Sequence, residues 1–493
     1  MNVLLIAPQY PDSFWSYKYA LRFISKKAAL PPLGLITVSA MLPPTWQKKL
    51  VDMSVTALSV KDIQWADFVF ISAMYIQRDS VKKIIDECLK YGVKIVAGGP
   101  LFTQDYLDYP QIDHLILNEA ETTFSLFLKD LSEGRPKKIY QAEGFPDLSS
   151  SPVPDYHLLS QKSYASMSIQ ITRGCPFSCE FCEITSLFGH KVRIKPTQRI
   201  LEELEKLYEL NWRRPIFIVD DNFIGNKKVI KYELLPAMKA WMKEHNYPFT
   251  FNTEASINLA DDKELIHLMA DTGFNSVFIG IETPEENSLS ECNKVQNKNR
   301  DLVKSIRDIQ QSGLQVSGGF IVGFDNDSPS VFQRQIDFIQ QSGIVSAMVG
   351  LLNAPKNTRL YSRLAAEKRL TVDASGNNTD LSMNFIPRMN LPDLVNGYRK
   401  IIRDIYTTKP YYKRIRQLLR NYKPSSNAPV KFDFSSLSAV FKSIFIIGLI
   451  NKGRSHYWKL LIWTLFRRPA LLADALTFSV YGYHFRKVFG LTG

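Results

Sequence analysis

The 493-residue sequence predicts an α/β protein with three successive parts: a doubly wound parallel sheet, a partial (β/α)6 barrel of the TIM type, and a mainly helical basic region. Three observations support this prediction. Short apolar runs alternate with amphipathic helix patterns, a Ser/Pro-rich segment separates two sets of them, and the positive charge is concentrated at one end. The composition, 45% hydrophobic and 22% charged residues, excludes disorder and collagen for the whole chain, and a content of five cysteines excludes a disulfide scaffold.

The first part, predicted over residues 1–145, has the pattern of an open, Rossmann-like sheet. Four apolar runs are predicted as buried parallel strands, at residues 3–7, 68–72, 94–97 and 114–117. Residues 80–91 are predicted as a helix with one apolar face. Sheets of this kind bind ligands beyond the carboxyl ends of their strands, although the absence of GxGxxG after the first strand argues against a dinucleotide. The residues at those ends are Ser72, Gly98, Gly99, Pro100 and Glu119.

The second part is predicted over residues 166–375, after a linker at 146–165. Its six strands are predicted at residues 168–172, 216–219, 250–253, 276–280, 316–322 and 346–351. One of the intervening helices is predicted over 197–210, with an apolar stripe of Leu201, Leu204, Leu207 and Tyr208. Active sites of βα barrels gather at the carboxyl ends of the strands. Three residues placed at strand ends in the two parts are therefore candidates to face a substrate: Tyr75, Asp221 and Glu254.

A cysteine cluster follows the first predicted barrel strand. It consists of Cys175, Cys179 and Cys182. Three thiolates within eight residues can converge on one soft metal centre, and a [4Fe–4S] cube normally takes four cysteines. Cys88 and Cys292 lie in no comparable cluster, so the count predicts a cube with one iron open to a chelating molecule. A structural zinc site completed by His190 is an alternative that the spacing also permits.

The CxxxCxxC spacing, with Phe181 before the last cysteine, resembles the radical S-adenosylmethionine (SAM) superfamily. The resemblance implies that the three cysteines bind a [4Fe–4S] cluster whose free iron is chelated by SAM, which is cleaved to a 5′-deoxyadenosyl radical. Segments 280–283, 318–323 and 354–358 resemble superfamily motifs that contact SAM. The SAM-binding residues implied are Phe181, Glu282, Thr283, Gly318, Gly319 and Thr358. Taken singly, such positions are explained equally well by helix capping or by turns of the chain.

Segments 31–35, 98–100 and 118–121 resemble the cobalamin-binding domain that is paired with radical SAM barrels. The resemblance implies that the five strand-end residues of the first part bind cobalamin, although Asn118 departs from the usual Gly-Glu-x-Glu motif. Residues 155–160 imitate the Asp-x-His-x-x-Gly motif that supplies a cobalt ligand in some B12 proteins. Because His157 lies in the linker and the glycine is missing, we expect cobalt to be bound without a protein histidine.

Over about residues 1–420, the motifs at 74–78, 219–226, 254–255 and 280–285 are similar to hopanoid C-2 methylase-type proteins, within the cobalamin-dependent radical SAM methyltransferases. Related proteins methylate bacteriochlorophyll side chains. The resemblance implies that two SAM molecules are consumed for each methyl group placed on an unactivated carbon of an apolar substrate, a hopanoid-like lipid or a tetrapyrrole. A ferredoxin or flavodoxin would supply electrons. Cobalamin-dependent oxidation or cyclisation without methyl transfer is one alternative, and a non-catalytic zinc- or RNA-binding protein is another.

The third part is predicted over residues 376–493. Residues 401–493 hold 16 Lys or Arg against 3 Asp or Glu, so this stretch carries the whole net charge of +13, and it is rich in aromatic residues. This composition favours the surface of an anionic membrane or an apolar partner, with the solvated face of a small helical domain as the plainer interpretation. RNA is a competing anion, but nucleic acid is not expected as a partner. Without a signal-peptide pattern or a spanning stretch, we expect a cytoplasmic protein that contacts at most the inner face of the membrane.

Overall fold

The computed structural model describes residues 1–372, 375–377, 379–424 and 434–491, with the backbone alone at 434–436. Its first part is a six-stranded parallel sheet, which we call the N-terminal sheet, with the order β2-β1-β3-β4-β5-β6. The strands are β1 (Asn2–Ala7), β2 (Gln47–Asp52), β3 (Phe68–Ser72), β4 (Lys94–Gly98), β5 (His114–Ile116) and β6 (Ile139–Tyr140). The helices are α1 (Lys18–Leu21), α2 (Leu33–Met41), α3 (Val60–Trp65), α4 (Arg78–Lys90), α5 (Pro100–Asp105) and α6 (Ala120–Ser132). The order 2-1-3-4-5 is that of flavodoxin-like doubly wound sheets, so the predicted fold class is confirmed here.

Two strands of the N-terminal sheet, β2 and β6, were missing from the sequence prediction. Strand β2 pairs in register with all of β1, from Asn2 opposite Gln47 to Ala7 opposite Asp52. It lies at one edge of the sheet, and its first four residues are not buried. Strand β6 has two residues and lies at the other edge. Edge strands lack the continuous apolar run that marks a strand buried on both faces, which explains why the pattern missed them.

The second part is an open barrel of parallel strands in the order β14-β13-β12-β11-β10-β7. The strands of this part are β7 (Met167–Ile169), β8 (Thr172–Arg173), β9 (Arg193–Ile194), β10 (Ile216–Ile218), β11 (Phe251–Glu254), β12 (Phe274–Glu282), β13 (Gln315–Val322) and β14 (Ala347–Leu351). The helices are α7 (Ile184–Phe188), α8 (Thr197–Glu209), α9 (Lys227–Val229), α10 (Leu235–Glu244), α11 (Lys263–Thr272), α12 (Glu286–Glu291), α13 (Leu302–Gln311), α14 (Val331–Ser342) and α15 (Arg359–Ala366). The sheet ends at β14 and β7, which do not pair, so the partial (β/α)6 barrel is confirmed.

The first barrel strand is shorter than predicted. Strand β7 ends at Ile169, because the carboxylate of Asp220 accepts hydrogen bonds from the backbone N–H groups of Ile171 (2.8 Å) and Thr172 (2.9 Å). A buried side chain thus replaces the ladder partners of these two residues. The chain continues as β8, which pairs antiparallel with β9. The cysteine cluster therefore lies in the connection of a separate two-stranded ribbon.

The third part consists of helices packed against the barrel: α16 (Leu391–Tyr406), α17 (Thr408–Asn421), α18 (Phe434–Ser443), a π-helix (Ile444–Ile450), α19 (Arg454–Arg467) and α20 (Leu472–Val488). The hydroxyl of Tyr406 donates to the carbonyl of Ala347, at the start of β14 (2.6 Å). Arg414 is fully buried and donates to the carbonyls of Ile405 and Val345. At least one of the basic side chains in this region therefore stabilises the fold and does not contribute to a charged surface. The predicted second and third parts also include residues that lie outside the described ones, namely 373–374, 378, 425–433 and 492–493.

Residues 8–25, which follow β1 and which we call the N-terminal segment, contact the last helix, α20, beside the barrel. The ring of Phe14 stacks on Phe485 of α20 at 4.3 Å, and Nε2 of His484 lies 3.1 Å from the carbonyl oxygen of Phe14. Burial lowers the pKa of His484 to about 4, so the neutral ring donates this hydrogen bond. The next residue, Trp15, reaches Met348 at the β14 edge of the open barrel, with Nε1 3.2 Å from Sδ. No helix within the described ranges is long and apolar enough to cross a bilayer.

Candidate active site

The cysteine cluster lies in one loop between β8 and α7. Cys175, Cys179 and Cys182 are each partly buried, and none forms a disulfide. The loop starts at Gly174, which has a φ of +90°. A Cβ there would lie 2.8 Å from the carbonyl oxygen of Lys191, so only glycine fits this close approach. Burial raises the pKa of Cys182 to about 12, and coordination to iron would remove that proton.

Contacts from three other strand ends hold the cysteine loop. The backbone N–H of Glu180 donates to the carbonyl of Cys292 (2.9 Å), and the N–H of Leu360 donates to the carbonyl of Glu180 (2.9 Å). The carboxylate of Glu180 pairs with Arg363 (2.7 Å), which also pairs with Asp325 (2.9 Å). These partners follow β12, β13 and β14, so the loop is positioned by protein contacts.

A lysine that sequence analysis did not single out lies beside the thiols. Nζ of Lys294 is 2.6 Å from Oε1 of Glu282, the residue predicted to bind SAM at the end of β12. Burial alone lowers the pKa of Lys294, but the charges of Glu282 and Cys179 hold it above its ordinary value. Nε2 of Gln296 lies 3.9 Å from Sγ of Cys179, and its Oε1 has no hydrogen-bond partner among the described residues. Glu282 itself has a φ of +63°.

Two of the three residues predicted to face a substrate, Asp221 and Glu254, lie close enough for the charge of Asp221 to raise the pKa of Glu254. Burial, followed by the charges of Asp221 and Asp220, raises the pKa of Glu254 to about 8. Burial and the charge of Asp220 likewise raise the pKa of Asp221 to about 7. Oδ2 of Asp221 has no hydrogen-bond partner in the described part of the chain. Carboxyl groups that keep a proton near neutral pH can both donate and accept hydrogen bonds.

The other predicted SAM-binding residues make internal contacts of their own. Phe181 lies 6.3 Å from Phe324, between ring centroids. Oγ1 of Thr283 accepts from the N–H of Glu285, and Oγ1 of Thr358 accepts from the N–H of Tyr361 as the N-cap of α15. Glycines 318 and 319 leave room for neighbouring side chains, since a Cβ on Gly319 would lie 2.9 Å from the ring of Phe278 and one on Gly318 3.1 Å from Ile344. Their contacts with SAM stay predictions.

Four of the five predicted cobalamin-binding residues share one edge of the N-terminal sheet. Ser72 ends β3, Gly98 ends β4, and Pro100 is the first residue of α5. Between them, Gly99 has a φ of +96°, and a Cβ there would lie 2.9 Å from Oγ of Ser72. The third candidate to face a substrate, Tyr75, lies in the turn after β3, where its hydroxyl accepts from Nη1 of Arg78 (2.7 Å).

The fifth residue, Glu119, joins the N-terminal sheet to the cysteine loop. Its carboxylate pairs with Arg173 (2.5 Å) and Arg193 (2.6 Å), and Glu121 pairs with Arg173 (2.7 Å). All four side chains are at most 12% exposed. Because Arg173 and Arg193 lie in the ribbon that carries the cysteine loop, these four side chains, which we call the Arg173 network, connect the N-terminal sheet to that loop. Both carboxylate oxygens of Glu119 are already paired, and its contact with cobalamin stays a prediction.

The two histidines weighed in the sequence, His190 and His157, do not converge with the three cysteines as metal ligands within the described residues. His190 is exposed, with Nδ1 3.5 Å from Oγ of Ser178, and His157 is exposed in the linker. In the described ranges, no three His, Cys, Asp or Glu side chains converge as the ligands of a single metal ion would. A tetrahedral zinc ion needs that convergence, whereas each cysteine of a [4Fe–4S] cube binds a different iron. The donor set therefore fits the cube better than zinc.

Three family models match the chain in succession. A B12-binding domain matches residues 23–128, the radical SAM superfamily matches 169–339, and DUF4070, a domain of unknown function, matches 358–492.

Two relatives match most of this chain. An uncharacterised methyltransferase of Synechocystis is 41% identical, over 98% of this chain and 91% of its own length. The hopanoid C-2 methylase of Rhodopseudomonas palustris is 33% identical, over 78% and 73%. The chain belongs to the cobalamin-dependent radical SAM methyltransferases. The cofactors of this methyltransferase are accordingly a [4Fe–4S] cluster, SAM and cobalamin, and radical SAM chemistry requires a reductant.

Solved structures support the fold of this methyltransferase. The methyltransferase TsrM from Kitasatospora setae aligns with a TM-score of 0.61 at 14% identity, over 95% of this chain and 99% of TsrM. The cobalamin-dependent SAM radical enzyme OxsB aligns with a TM-score of 0.63 at 13% identity, over 99% and 79%.

The residues present fit these cofactors. The cysteine loop offers three unpaired thiols, and acceptor atoms without a partner among the described residues lie near it on Asp221 and Gln296. At the carboxyl edge of the N-terminal sheet, Oδ1 of Asn118 is buried and also lacks a partner within the described ranges. Polar atoms buried in this way call for a ligand or water.

Proposed function

We propose that this methyltransferase acts on an unactivated carbon of an apolar polycyclic molecule, a hopanoid-like lipid or a tetrapyrrole. The observation that carries the proposal is an apolar wall where the N-terminal sheet meets the barrel. Trp15 is 40% exposed, and its ring centroid lies 5.3 Å from that of Phe278 in β12, in addition to its contact with Met348. Tyr10 and Met74, from the turns after β1 and β3, are 47% and 49% exposed. Exposed apolar side chains between the two edges at which we propose that the cofactors bind would suit a flat apolar substrate.

The names of relatives support the same substrate class. In addition to the hopanoid C-2 methylase, the bacteriochlorophyllide d C-8(2)-methyltransferase of Chlorobaculum tepidum is 24% identical, over 69% of this chain and 77% of its own length. Hopanoids and bacteriochlorophyllides are both polycyclic and largely apolar.

In this proposal the residues divide their tasks by position. Cys175, Cys179 and Cys182 hold the cluster, and the residues that hold SAM are Phe181, Glu282, Thr283, Gly318, Gly319 and Thr358. Ser72, Gly98, Gly99 and Pro100 approach cobalamin, with Glu119 holding their edge of the sheet against the cysteine loop. When bound, the cluster with SAM supplies the radical and cobalamin supplies the methyl group. Asp221 and Glu254 orient the reacting molecules through hydrogen bonds, and Lys294 balances the negative charge of the thiolates.

A reducing protein such as a ferredoxin or flavodoxin is the proposed electron donor, because radical SAM chemistry requires a reductant. We also propose that the enzyme works at the inner face of the membrane, because a substrate of this class partitions into lipid.

Comparison of lipid and pigment extracts from cells with and without the protein tests the function. We expect one methylated species to disappear from the cells that lack it. The purified, anaerobically reconstituted enzyme should then add one methyl group to the unmethylated species, as measured by mass spectrometry. A product that is oxidised or cyclised without gaining a methyl group would contradict the proposal.

Gly99→Val is expected to weaken cobalamin binding. The substitution places a branched side chain at a φ of +96°, with its Cβ 2.9 Å from Oγ of Ser72, and so distorts the edge on which cobalamin is proposed to lie. The measurement is the amount of cobalamin retained by the purified protein, from its visible absorbance. Gly92→Val is the matched control, because Gly92 also has a positive φ (+65°) but has no atom within 4 Å of its Cβ position. If both variants retained the same amount of cobalamin, the assignment of Gly99 to the cobalamin site would be wrong.

A further inference from the structure

The outer side of one helical hairpin exposes a set of large apolar side chains. The hairpin consists of α18, the π-helix that continues it, and α19. We call the exposed set the apolar ridge: Leu437, Phe441, Phe445, Leu449, Ile450, Trp458, Ile462, Leu465 and Phe466. Their exposed fractions run from 37% at Trp458 to 80% at Phe466. Contiguous exposed apolar side chains of this kind mark an interaction surface.

Regular spacing aligns the ridge along both arms of the hairpin. Members of the first arm recur every four residues from 437 to 449, and members of the second recur every four residues from 458 to 466. Residues four apart lie on one side of a helix. Nε1 of Trp458 donates to the carbonyl of Gly448 (2.9 Å), which brings the two rows together at the bend. Ile447, Tyr457 and Leu460 are fully buried, so both arms are apolar on the inner side as well.

The charge beside the ridge has one sign. Residues 434–473 contain no Asp or Glu. The exposed cations of this stretch are Lys452, Arg454, Lys459 and Arg467. The next acidic residue, Asp474, is largely withdrawn from solvent and accepts from Nε2 of Gln315 (2.6 Å). Exposed apolar side chains interspersed with cations, and without acidic neighbours, complement the interface of an anionic bilayer. A nucleic acid would pair with the cations but leave the apolar side chains in water.

The hairpin that carries the ridge contacts the N-terminal segment, and that segment also reaches the β14 edge of the open barrel. Nζ of Lys442 donates to the carbonyl of Arg22 (3.2 Å) and to Oγ of Ser25 (2.8 Å), directly after α1. Helix α1 packs on α20, as does the hairpin itself. Phe14 and Trp15 belong to the same N-terminal segment, which connects this surface to the apolar wall of the proposed substrate site.

We propose that the apolar ridge docks this enzyme on an anionic lipid bilayer and places the open side of its barrel next to the membrane. This docking proposal rests on the proposed function, because it assumes an apolar substrate that is dissolved in the membrane. A docked enzyme could take such a substrate from the lipid to the apolar wall without exposing it to water. The rows at 437–449 and 458–466 enter the acyl boundary, and the four exposed cations contact the headgroups.

Co-sedimentation of the purified holoenzyme with vesicles tests the proposal. We expect binding to vesicles of phosphatidylglycerol mixed with phosphatidylcholine, and much weaker binding to phosphatidylcholine alone. The double variant Phe441→Ser/Phe445→Ser should lower the partition coefficient by about tenfold for each phenylalanine removed. Lys452→Gln/Lys459→Gln should lower it by about fivefold for each charge on the anionic vesicles. Leu107→Ser and Tyr232→Ser are matched controls, since these side chains are 77% and 70% exposed elsewhere on the surface.

Three results would overturn the proposal. They are failure of the unmodified holoenzyme to bind anionic vesicles, equal loss of binding in the ridge and control variants, and a self-association of the enzyme that the ridge substitutions abolish without affecting vesicle binding. Cobalamin content of each variant, measured in the same samples, shows that the fold is retained. The assay contains no substrate and no turnover, so a failure of the proposed methylation leaves its outcome unchanged and the two failures are distinguishable.

Discussion

Cys179→Ala is expected to abolish methyl transfer together with the iron–sulfur cluster, while the protein still retains cobalamin. Cys179 is the middle member of the cysteine loop, and a cube cannot be held by the two remaining thiols. The N-terminal sheet, where cobalamin is proposed to bind, contains none of these cysteines. The measurements are iron and sulfide content after anaerobic reconstitution, the visible absorbance of retained cobalamin, and methylated product by mass spectrometry.

Cys88→Ala is the control for the loss of a thiol. Cys88 is fully buried in α4, so its substitution costs about 1 kcal/mol of unfolding free energy through the small cavity it leaves. Iron content and turnover should remain at the level of the unmodified enzyme. Turnover by the Cys179→Ala enzyme, or undiminished iron in it, would contradict the cluster assignment.

Arg173→Gln is expected to lower the free energy of unfolding by about 3–5 kcal/mol, because it leaves a buried carboxylate without its counter-charge. Arg173 pairs with Glu119 and with Glu121, and the Glu121 side chain is only 3% exposed. Glu119 keeps Arg193 as a partner, so the loss falls mainly on Glu121. The contact between the N-terminal sheet and the cysteine loop should also weaken, although the Glu119–Arg193 pair remains, and methyl transfer should fall while the cluster and cobalamin remain bound. Urea denaturation and single-turnover assays measure the two effects.

The double variant Arg173→Gln/Glu121→Gln separates charge from packing. Removing both charges should restore much of the stability lost in the single variant, since no unpaired buried carboxylate remains. Activity should stay low, because the contacts of Arg173 between the N-terminal sheet and the cysteine loop are still missing. Full recovery of activity in the double variant would show that the Arg173 network has no positioning role.

Acidification provides a further check on the same network. Burial alone raises the pKa of Glu121, but the hydrogen bonds and charge of Arg173 hold it below its ordinary value of 4.5. The stabilisation by this pair is therefore complete above pH 4.5 and is lost as the pH falls through the lower pKa of the folded state. We expect the difference in stability between the unmodified enzyme and Arg173→Gln to shrink over that acid range. A difference that stays constant would contradict the ion-pair contribution.

The sequence was sufficient to predict those elements whose structure is determined by residues close together in the chain. The central strands of the N-terminal sheet were predicted because each is a short run buried on both faces, and the cysteine loop because its ligands lie within eight residues of one another. The pattern failed for β7, because the side chain that ends it, Asp220, lies about fifty residues further along the chain.

Helix α8 shows why charged partners escape a pattern of apolar residues. Its predicted stripe contained Leu201 and Tyr208, whereas the fully buried row includes Ile200 and Glu203, with Glu203 paired to Lys195 at 2.5 Å. The Arg173 network and Lys294 were missed for the same reason, since their partners are charged side chains, and those of Arg173 are also 52 and 54 residues away. For the Arg173 network, sequence position was the available signal. Arg173 directly precedes the cysteine loop, and Glu121 belongs to the segment 118–121 that resembles a cobalamin-domain motif.

The stacking of Phe14 on Phe485 has a consequence for biosynthesis. The two rings are separated by almost the entire chain, so the N-terminal segment cannot complete its packing until the last helix has left the ribosome. At typical translation rates of about 5–20 residues per second, that interval is on the order of half a minute to a minute and a half. Strand β14 is itself made late, so the nascent barrel lacks its packing beside β14 only during the last part of this interval, from Leu351 to Phe485, which is roughly 7 to 27 seconds at the same rates.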